Sequence, residues 1–234
     1  MAAKGLFDNL RAVPANQDGD GFFSALYLFD RAKGQRPLAG LDEAGRGPLA
    51  GPLVAAAVIL PEGFDCAEIN DSKKLSALDR EKAFKIVTSN ALHWAFEVIG
   101  PAEVDRLNPL AASMLAMAES LAKLPVKPKL ALVDGNRCPE TGCHCLAVVK
   151  GDSKSLSIAA ASIVAKVIRD NLMLEEHKRF PAYGFDRHKG YGTKEHLRAL
   201  AEHGPSPIHR LSYRGVRPET PAEPTGPKRE PTLF

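Results

Sequence analysis

Two continuous apolar runs enclose a short polar centre in residues 38–60, which read LAGLDEAGRGPLAGPLVAAAVIL. A short apolar run bounded by glycine or proline is the pattern of a strand covered on both faces. The stretch therefore predicts an opening strand that runs into Asp42 and a second over 53–60, stopped by Pro61. Residues 91–100 predict a third strand, with Trp94, Phe96 and Val98 on one face. Residues 130–133 and 146–150 predict two more. The helical stretches have a different period. Leu107, Leu110, Leu115, Met117 and Leu121 form an apolar stripe along a helix predicted over 101–123, which Pro125 and Pro128 end. Residues 157–175 predict a long amphipathic helix, alanine-rich at its start and so able to pack close to a sheet. Thr193 and Glu195 suit the start of a short helix over 193–203. Ser76, with Asp79 three residues on, suits the N-cap of a helix after a loop over 70–76.

The two ends differ from this pattern. The aromatic cluster FFSALYLF at 22–29 predicts a short helix docked on the core. Residues 16–21, NQDGDG, start like a calcium loop but lack its acidic end, and read as a turn. From Pro218 the proline- and charge-rich sequence cannot bury a core and reads as a disordered tail. The chain thus divides into a lead-in over 1–36, one α/β domain over 37–217 and a tail over 218–234. Its 234 residues suffice for one such domain and are short for two.

Composition narrows the class only a little. Net charge is +3, a weak hint of an anionic partner. Its distribution says more: residues 177–217 hold nine Lys or Arg against three Asp or Glu, with five of the seven histidines. Such a segment suits a phosphate backbone, and also an ordinary solvated face. No apolar run approaches the ~20 residues of a membrane span. The first nine residues lack the charged start and apolar core of a signal peptide. Four cysteines without a dense framework suit a reducing, cytoplasmic compartment. Nothing reads as a dimer surface, so a monomer is expected.

The polar centre carries the candidate chemistry. Asp42 and Glu43 are adjacent carboxylates beside a buried strand, an arrangement that is costly unless paired, and a divalent cation is the usual partner. Gly45 and Gly47 flank Arg46 and free the backbone to turn and approach a ligand. A solvated pair in an ordinary glycine turn accounts for the isolated motif equally well. Asp134 ends a predicted strand and is followed by glycine, where open α/β sheets place ligand chemistry. Asp152 follows the last predicted strand in Gly151-Asp152-Ser153-Lys154.

DEAGRGPLAGP at 42–52 resembles the signature of the ribonuclease HII family, the type 2 ribonucleases H. DSKKL at 71–75, DGN at 134–136, GDSKSLSIAAASIVAK at 151–166 and HKGY at 188–191 match further family motifs in order. The resemblance covers roughly 38–213. Type 3 relatives differ at the 45–47 centre and carry an extra N-terminal domain, for which this chain has no room. The resemblance implies a ribonuclease H-like mixed sheet flanked by helices, with a C-terminal helical extension. It implies an endoribonuclease that cuts the RNA strand of RNA–DNA hybrids and single ribonucleotides embedded in duplex DNA, as in ribonucleotide excision repair. Asp42, Glu43, Asp134 and Asp152 would be the four-carboxylate metal site, and oxygen-only donors suit Mg²⁺ or Mn²⁺. Two ions ~4 Å apart would leave 5′-phosphate and 3′-hydroxyl ends. Asp42 would bridge them, Glu43 and Asp134 would lie on the leaving-group side and Asp152 on the water side. The family pattern gives the backbone of Gly45-Arg46-Gly47 the 2′-hydroxyl, and Arg46, Lys73 and Lys74 the phosphates. It places Tyr191 under the next deoxyribose. Without that context Tyr191 is a loop aromatic packed on the helix after it, and Lys73 and Lys74 are a solvated pair.

Two other classes compete. Another nuclease or integrase of the same fold would lack the Gly45-Arg46-Gly47 and Tyr191 pairing. A binding protein that had lost catalysis would show a replaced carboxylate, and all four are present. Cys138, Cys143 and Cys145 lack the paired spacing of a structural zinc site and read as incidental thiols. The ending EPTLF resembles the Leu-Phe-ended peptides that dock on the bacterial sliding clamp, without their initial glutamine, and implies the clamp as a partner.

Overall fold

The computed structural model describes residues 23–70, 72 and 74–217. The turn expected at 16–21, the first residue of the aromatic cluster, Lys73, and the tail with its EPTLF ending lie outside the described residues. Five strands, β1 (Leu38–Ala44), β2 (Leu53–Ile59), β3 (His93–Ile99), β4 (Leu130–Asp134) and β5 (His144–Val148), form one sheet in the order β3-β2-β1-β4-β5. β2 runs antiparallel to both β1 and β3, whereas β4 and β5 run parallel to β1. The helices are α1 (Ala25–Arg31), α2 (Ala77–Asn90), α3 (Pro101–Leu107), α4 (Pro109–Ala122), α5 (Leu156–Arg179), α6 (Phe185–His188) and α7 (Lys194–His203).

The continuous apolar run of β2 follows from its place, because all seven of its residues are buried between two helical layers. Val54, Ala56 and Val58 pack with Ile163 and Val164 of α5 and Phe84 and Val87 of α2. The alternate residues Leu53, Ala55 and Ala57 join Leu41, Val133 and Met117 of α4 on the other face. Each of the larger side chains contributes about 1.5–3 kcal/mol by leaving water. Gly40 sets how close α5 lies to β1, since a Cβ there would overlap the Ser157 carbonyl carbon. The alanines at 159–161 and 165 continue the close approach along α5.

Several boundaries differ from expectation. The helix predicted over 101–123 is two helices, because Pro109 lacks the amide a continuous helix needs and restricts the residue before it. Asn108 adopts φ 70° there, and its Oδ1 accepts from Leu110 N–H (3.0 Å) and Ala111 N–H (3.1 Å), capping α4. The last strand is 144–148 rather than 146–150. Lys150 turns left-handed at φ 55°, and Asp152 falls in a 3-10 turn, Gly151–Ser153. α5 continues to Arg179, with His177, Lys178 and Arg179 in the last turn, where positive charge complements the helix dipole. The 180–191 loop contains a 3-10 turn and α6. Val98 is exposed at the sheet edge rather than packed with Trp94 and Phe96.

The C-terminal extension closes over the loop between β1 and β2. Tyr183, Phe185 and Ile208 form a small core with Ala50 and Met173. Leu49 N–H donates to Gly190 O (2.9 Å), Gly51 N–H to Ile208 O (2.9 Å) and Arg210 N–H to Leu49 O (2.8 Å). At the opposite end, buried Asp30 of α1 accepts from Ser155 Oγ (2.5 Å) and Ser157 N–H (2.8 Å), docking the lead-in on the start of α5. Among the described residues no helix is long and apolar enough to cross a membrane.

Candidate active site

Parallel pairing brings the candidate carboxylates to one edge of the sheet. Leu41 of β1 lies beside Val133 of β4, so Asp42 and Asp134 follow at one level and on one face, the face that α5 covers. Asp42 is only 5% exposed. Its Oδ1 accepts from Glu43 N–H at 2.7 Å, and the Ser162 side chain of α5 also bonds it. Burial first, then the charges of Glu43 and Asp134, push its carboxyl well above the usual range. Gly151 N–H donates to Asp134 Oδ1 at 2.6 Å, which ties the turn that carries buried Asp152 to Asp134. Among the described residues no group of three or more Asp, Glu, His or Cys side chains stands placed to hold a metal ion. The fit to a divalent cation rests on donor chemistry: buried oxygens that repel one another are relieved by an added positive charge.

A second construction stands next to this cluster. Gly45 adopts φ 97°, and its missing side chain leaves room for the Arg169 guanidinium, which a Cβ would overlap. Arg210 donates through Nη2 to Gly45 O (2.6 Å), through Nη1 to Arg46 O (3.2 Å), and through Nε and Nη2 to Gly51 O (3.0 and 2.8 Å). Tyr213 Oη also donates to Arg46 O at 2.6 Å. In a trans peptide the N–H points opposite to the C=O. With the Gly45 and Arg46 carbonyls held inward, the N–H groups of Arg46 and Gly47 face away from Arg210. A Cβ at Gly47 would meet open space. The Arg46 side chain is half-exposed and pairs with Glu43 at 3.4 Å. Arg169 braces the same loop, donating to Pro52 O (2.9 Å), Ala50 O (3.2 Å) and Lys189 O (3.0 Å). Burial and the neighbouring Arg210 push Arg169 down to about 10.

The Tyr191 ring, 45% exposed, has Arg169 Cζ and Lys166 Nζ each 5.9 Å from its centroid. Ser162 also meets Ser72 at 2.8 Å between the two hydroxyl oxygens, tying the 70–76 loop and exposed Lys74 to the helix that touches Asp42.

A sequence model of ribonuclease HII matches residues 39–216. The chain belongs to the ribonuclease HII family. It is thereby a ribonuclease H enzyme, a nuclease that hydrolyses phosphodiesters. The ribonuclease HII of Dechloromonas aromatica is 56% identical over 179 residues, 76% of this chain and 91% of the relative. The crystal structure of ribonuclease H2 from Pyrococcus horikoshii superposes with a TM-score of 0.65 at 27% identity, over 76% of this chain and 94% of that one. The ribonuclease HII of a PCNA complex from Archaeoglobus fulgidus gives 0.63 at 26% identity, over 78% and 97%. Every candidate site residue falls within the stretch matched by the ribonuclease HII model, whereas Asp30 precedes it.

Some of what surrounds this ribonuclease HII site was invisible in the sequence pattern. Arg210 and Arg169 read there as ordinary members of basic or helical stretches. Arg169 did carry a signal, four residues after Ala165 and four before Met173 on the buried stripe of α5. The basic segment also differs from an open stripe. Arg179 pairs with Glu176 (2.8 Å), Lys178 with Glu175 (2.7 Å) and Arg187 with Glu195, while Arg210 is buried. The three thiols lie apart from the site. Cys145 Sγ is 3.0 Å from Thr141 Oγ1, and burial pushes its thiol up to about 11, far from a ready thiolate ligand.

Proposed function

We propose that this enzyme cuts the RNA strand of RNA–DNA hybrids and single ribonucleotides embedded in duplex DNA, leaving 5′-phosphate and 3′-hydroxyl ends. The observation that carries the reading is the pair of outward N–H groups, Arg46 and Gly47, beside the carboxylates at one sheet edge. Two amide donors suit a 2′-hydroxyl, the group that distinguishes RNA from DNA. Asp42, Glu43, Asp134 and Asp152 would hold Mg²⁺ or Mn²⁺, two ions in all. Bound there, the ions supply an acidified water and a counter-charge for the leaving oxygen.

The chain's own groups do the selecting. Arg46, Lys73 and Lys74 hold phosphates of the cut strand. The Tyr191 ring packs under the deoxyribose that follows the ribonucleotide, a surface that favours a sugar without a 2′-oxygen. The residues over 37–217 act as the catalytic domain, with the 1–36 lead-in and the 218–234 tail as additions. The Archaeoglobus relative was solved with PCNA, which supports a sliding clamp as partner of the EPTLF ending; loss of clamp retention on deleting 232–234 checks that.

The deciding assay is a labelled DNA duplex with one ribonucleotide, incubated with Mg²⁺ or Mn²⁺. Cleavage on the 5′ side of the ribonucleotide, stopped by EDTA, is expected. Asp134→Asn should still bind the hybrid while cleavage nearly disappears. Cutting of all-DNA controls would refute the proposal.

A further inference from the structure

Beneath Tyr191 lies a run of buried imidazoles that the proposed chemistry does not use. Ser206 N–H reaches His209 Nδ1 at 2.9 Å, the Nε2 atoms of His209 and His196 lie 3.0 Å apart, and His196 Nδ1 is 2.9 Å from the Tyr191 carbonyl oxygen. The Ser206 hydroxyl, 2.7 Å from the same His209 Nδ1, can donate or accept, but the Tyr191 carbonyl only accepts and the Ser206 N–H only donates, so the run has one polarity and the hydroxyl donates. His209 Nδ1 is therefore an acceptor, and its ring proton sits on Nε2, donated to His196 Nε2. His196 in turn carries its proton on Nδ1 and gives it to Tyr191. The same logic orients His188, whose Nδ1 accepts from Gly190 N–H (3.2 Å) and whose Nε2 donates to Tyr183 O (2.8 Å). The His188 and His196 rings stack at 4.5 Å and 15°. Imidazoles thus hold the Gly190 N–H and the Tyr191 carbonyl while the Tyr191 side chain stays half-exposed.

We infer that His196, oriented by His209, is a positioning residue that sets the Tyr191 ring and with it the preference for RNA-to-DNA junctions. The inference rests on the proposed contact between Tyr191 and the deoxyribose. Burial holds both imidazoles below their ordinary range, so they are neutral near pH 7 and keep this proton pattern.

The test measures kcat and KM of the full chain on two duplexes, one with a single ribonucleotide and one with a tract of several. The ratio of the two kcat/KM values is the readout, alongside a thermal melt of each variant. His196→Phe keeps a ring but loses both bonds, and should lower the ratio about 5-fold, the equivalent of one ordinary hydrogen bond. The loss should fall on kcat for the single-ribonucleotide duplex. His196→Asn, whose amide can still donate to the Tyr191 carbonyl, should restore most of it. His209→Asn can accept from Ser206 but cannot reach His196, and should fall between. If Tyr191→Ala lowers the ratio and a folded His196→Phe does not, the inference is overturned while the sugar contact stands. If Tyr191→Ala also leaves the ratio unchanged, the sugar contact fails and the inference with it. Should His196→Phe not fold, His209→Asn decides alone, and an unchanged ratio overturns the inference.

Discussion

Replacing Arg210 by methionine keeps most of the side-chain volume and removes every donor. Arg46 O would retain the Tyr213 hydroxyl, whereas Gly45 O and Gly51 O would lose the guanidinium. A buried acceptor left without its donor costs about 1–3 kcal/mol. Two of them give ~2–6 kcal/mol, and relief of the repulsion that Arg210 exerts on Arg169 returns part of it. A net loss of about 3 kcal/mol corresponds to a fall in Tm of ~6–12 °C for a domain of this size. That leaves most of the protein folded at 25 °C, because ordinary domains hold ~5–15 kcal/mol in reserve. Activity should fall further than folding does, since the peptide freed at Gly45 O no longer aligns the Arg46 N–H with that of Gly47. Arg210→Lys should recover little, as a single ammonium lacks the planar fork that reaches three carbonyls at once. The assay pairs a calorimetric melt with cleavage of the single-ribonucleotide duplex at 25 °C. A Tm within 2 °C of the parent, with unchanged cleavage, would show that Arg210 neither stabilises nor orients this loop.

Three further outcomes follow from other parts of the structure. Gly40→Ala drives a methyl into the Ser157 backbone, so overpacking should cost ~1–3 kcal/mol and cleavage should drop as α5 shifts Ser162 away from Asp42; an unchanged melt would contradict the close packing. Burial and His196 push His209 down to about 4 from 6.5, so between those values the folded state binds fewer protons than the unfolded one. This contribution to stability is present above pH 6.5 and lost as pH falls toward 4. Raised Asp30 and Asp42 act in the opposite sense, so the quantity to compare is the pH slope of Tm in the parent minus that in His209→Asn, expected positive. Cys66 and Cys145, both pushed up to about 11, should react slowly with a thiol reagent at pH 7.5, and rapid labelling of both would contradict their burial.

The sequence was most informative where a local pattern and the tertiary environment agree. The central strand β2 could be read from its unbroken apolar run because it is covered on both faces, and Ser76 and Thr193 could be read as caps because capping is a contact three residues long. The break at Asn108 was visible as Asn-Pro. Of the apolar stripe read across it, Leu107, Met117 and Leu121 pack in the core, whereas Leu115 is exposed, because the turn at Asn108 sets the two helices separately. Asp152 looked like a strand end because Leu146 to Val149 is apolar. Pairing with β4 instead begins at His144, and the left-handed Lys150 then turns the chain back toward Asp134.

What escaped the sequence is what holds the legible motif in its working shape. The glycines at 45 and 47 permit the loop many conformations and select none. Selection comes from Arg210 and Arg169, whose acceptor carbonyls at Gly45 and Pro52 stand 165 and 117 residues away along the chain. A guanidinium buried among carbonyls from a distant loop leaves little local signature: Arg210 reads as one charge of a basic segment, and only the place of Arg169 on the buried stripe of α5 hints at its role. The division of labour has a chemical consequence. Because the anchors on Gly45 and Arg46 grip carbonyls, those two peptides are turned so that the unanchored side of each is an N–H, a donor surface suited to a hydroxyl or phosphate oxygen. Had the anchors been carboxylates gripping N–H groups, the same glycine motif would have presented carbonyls and favoured cations instead.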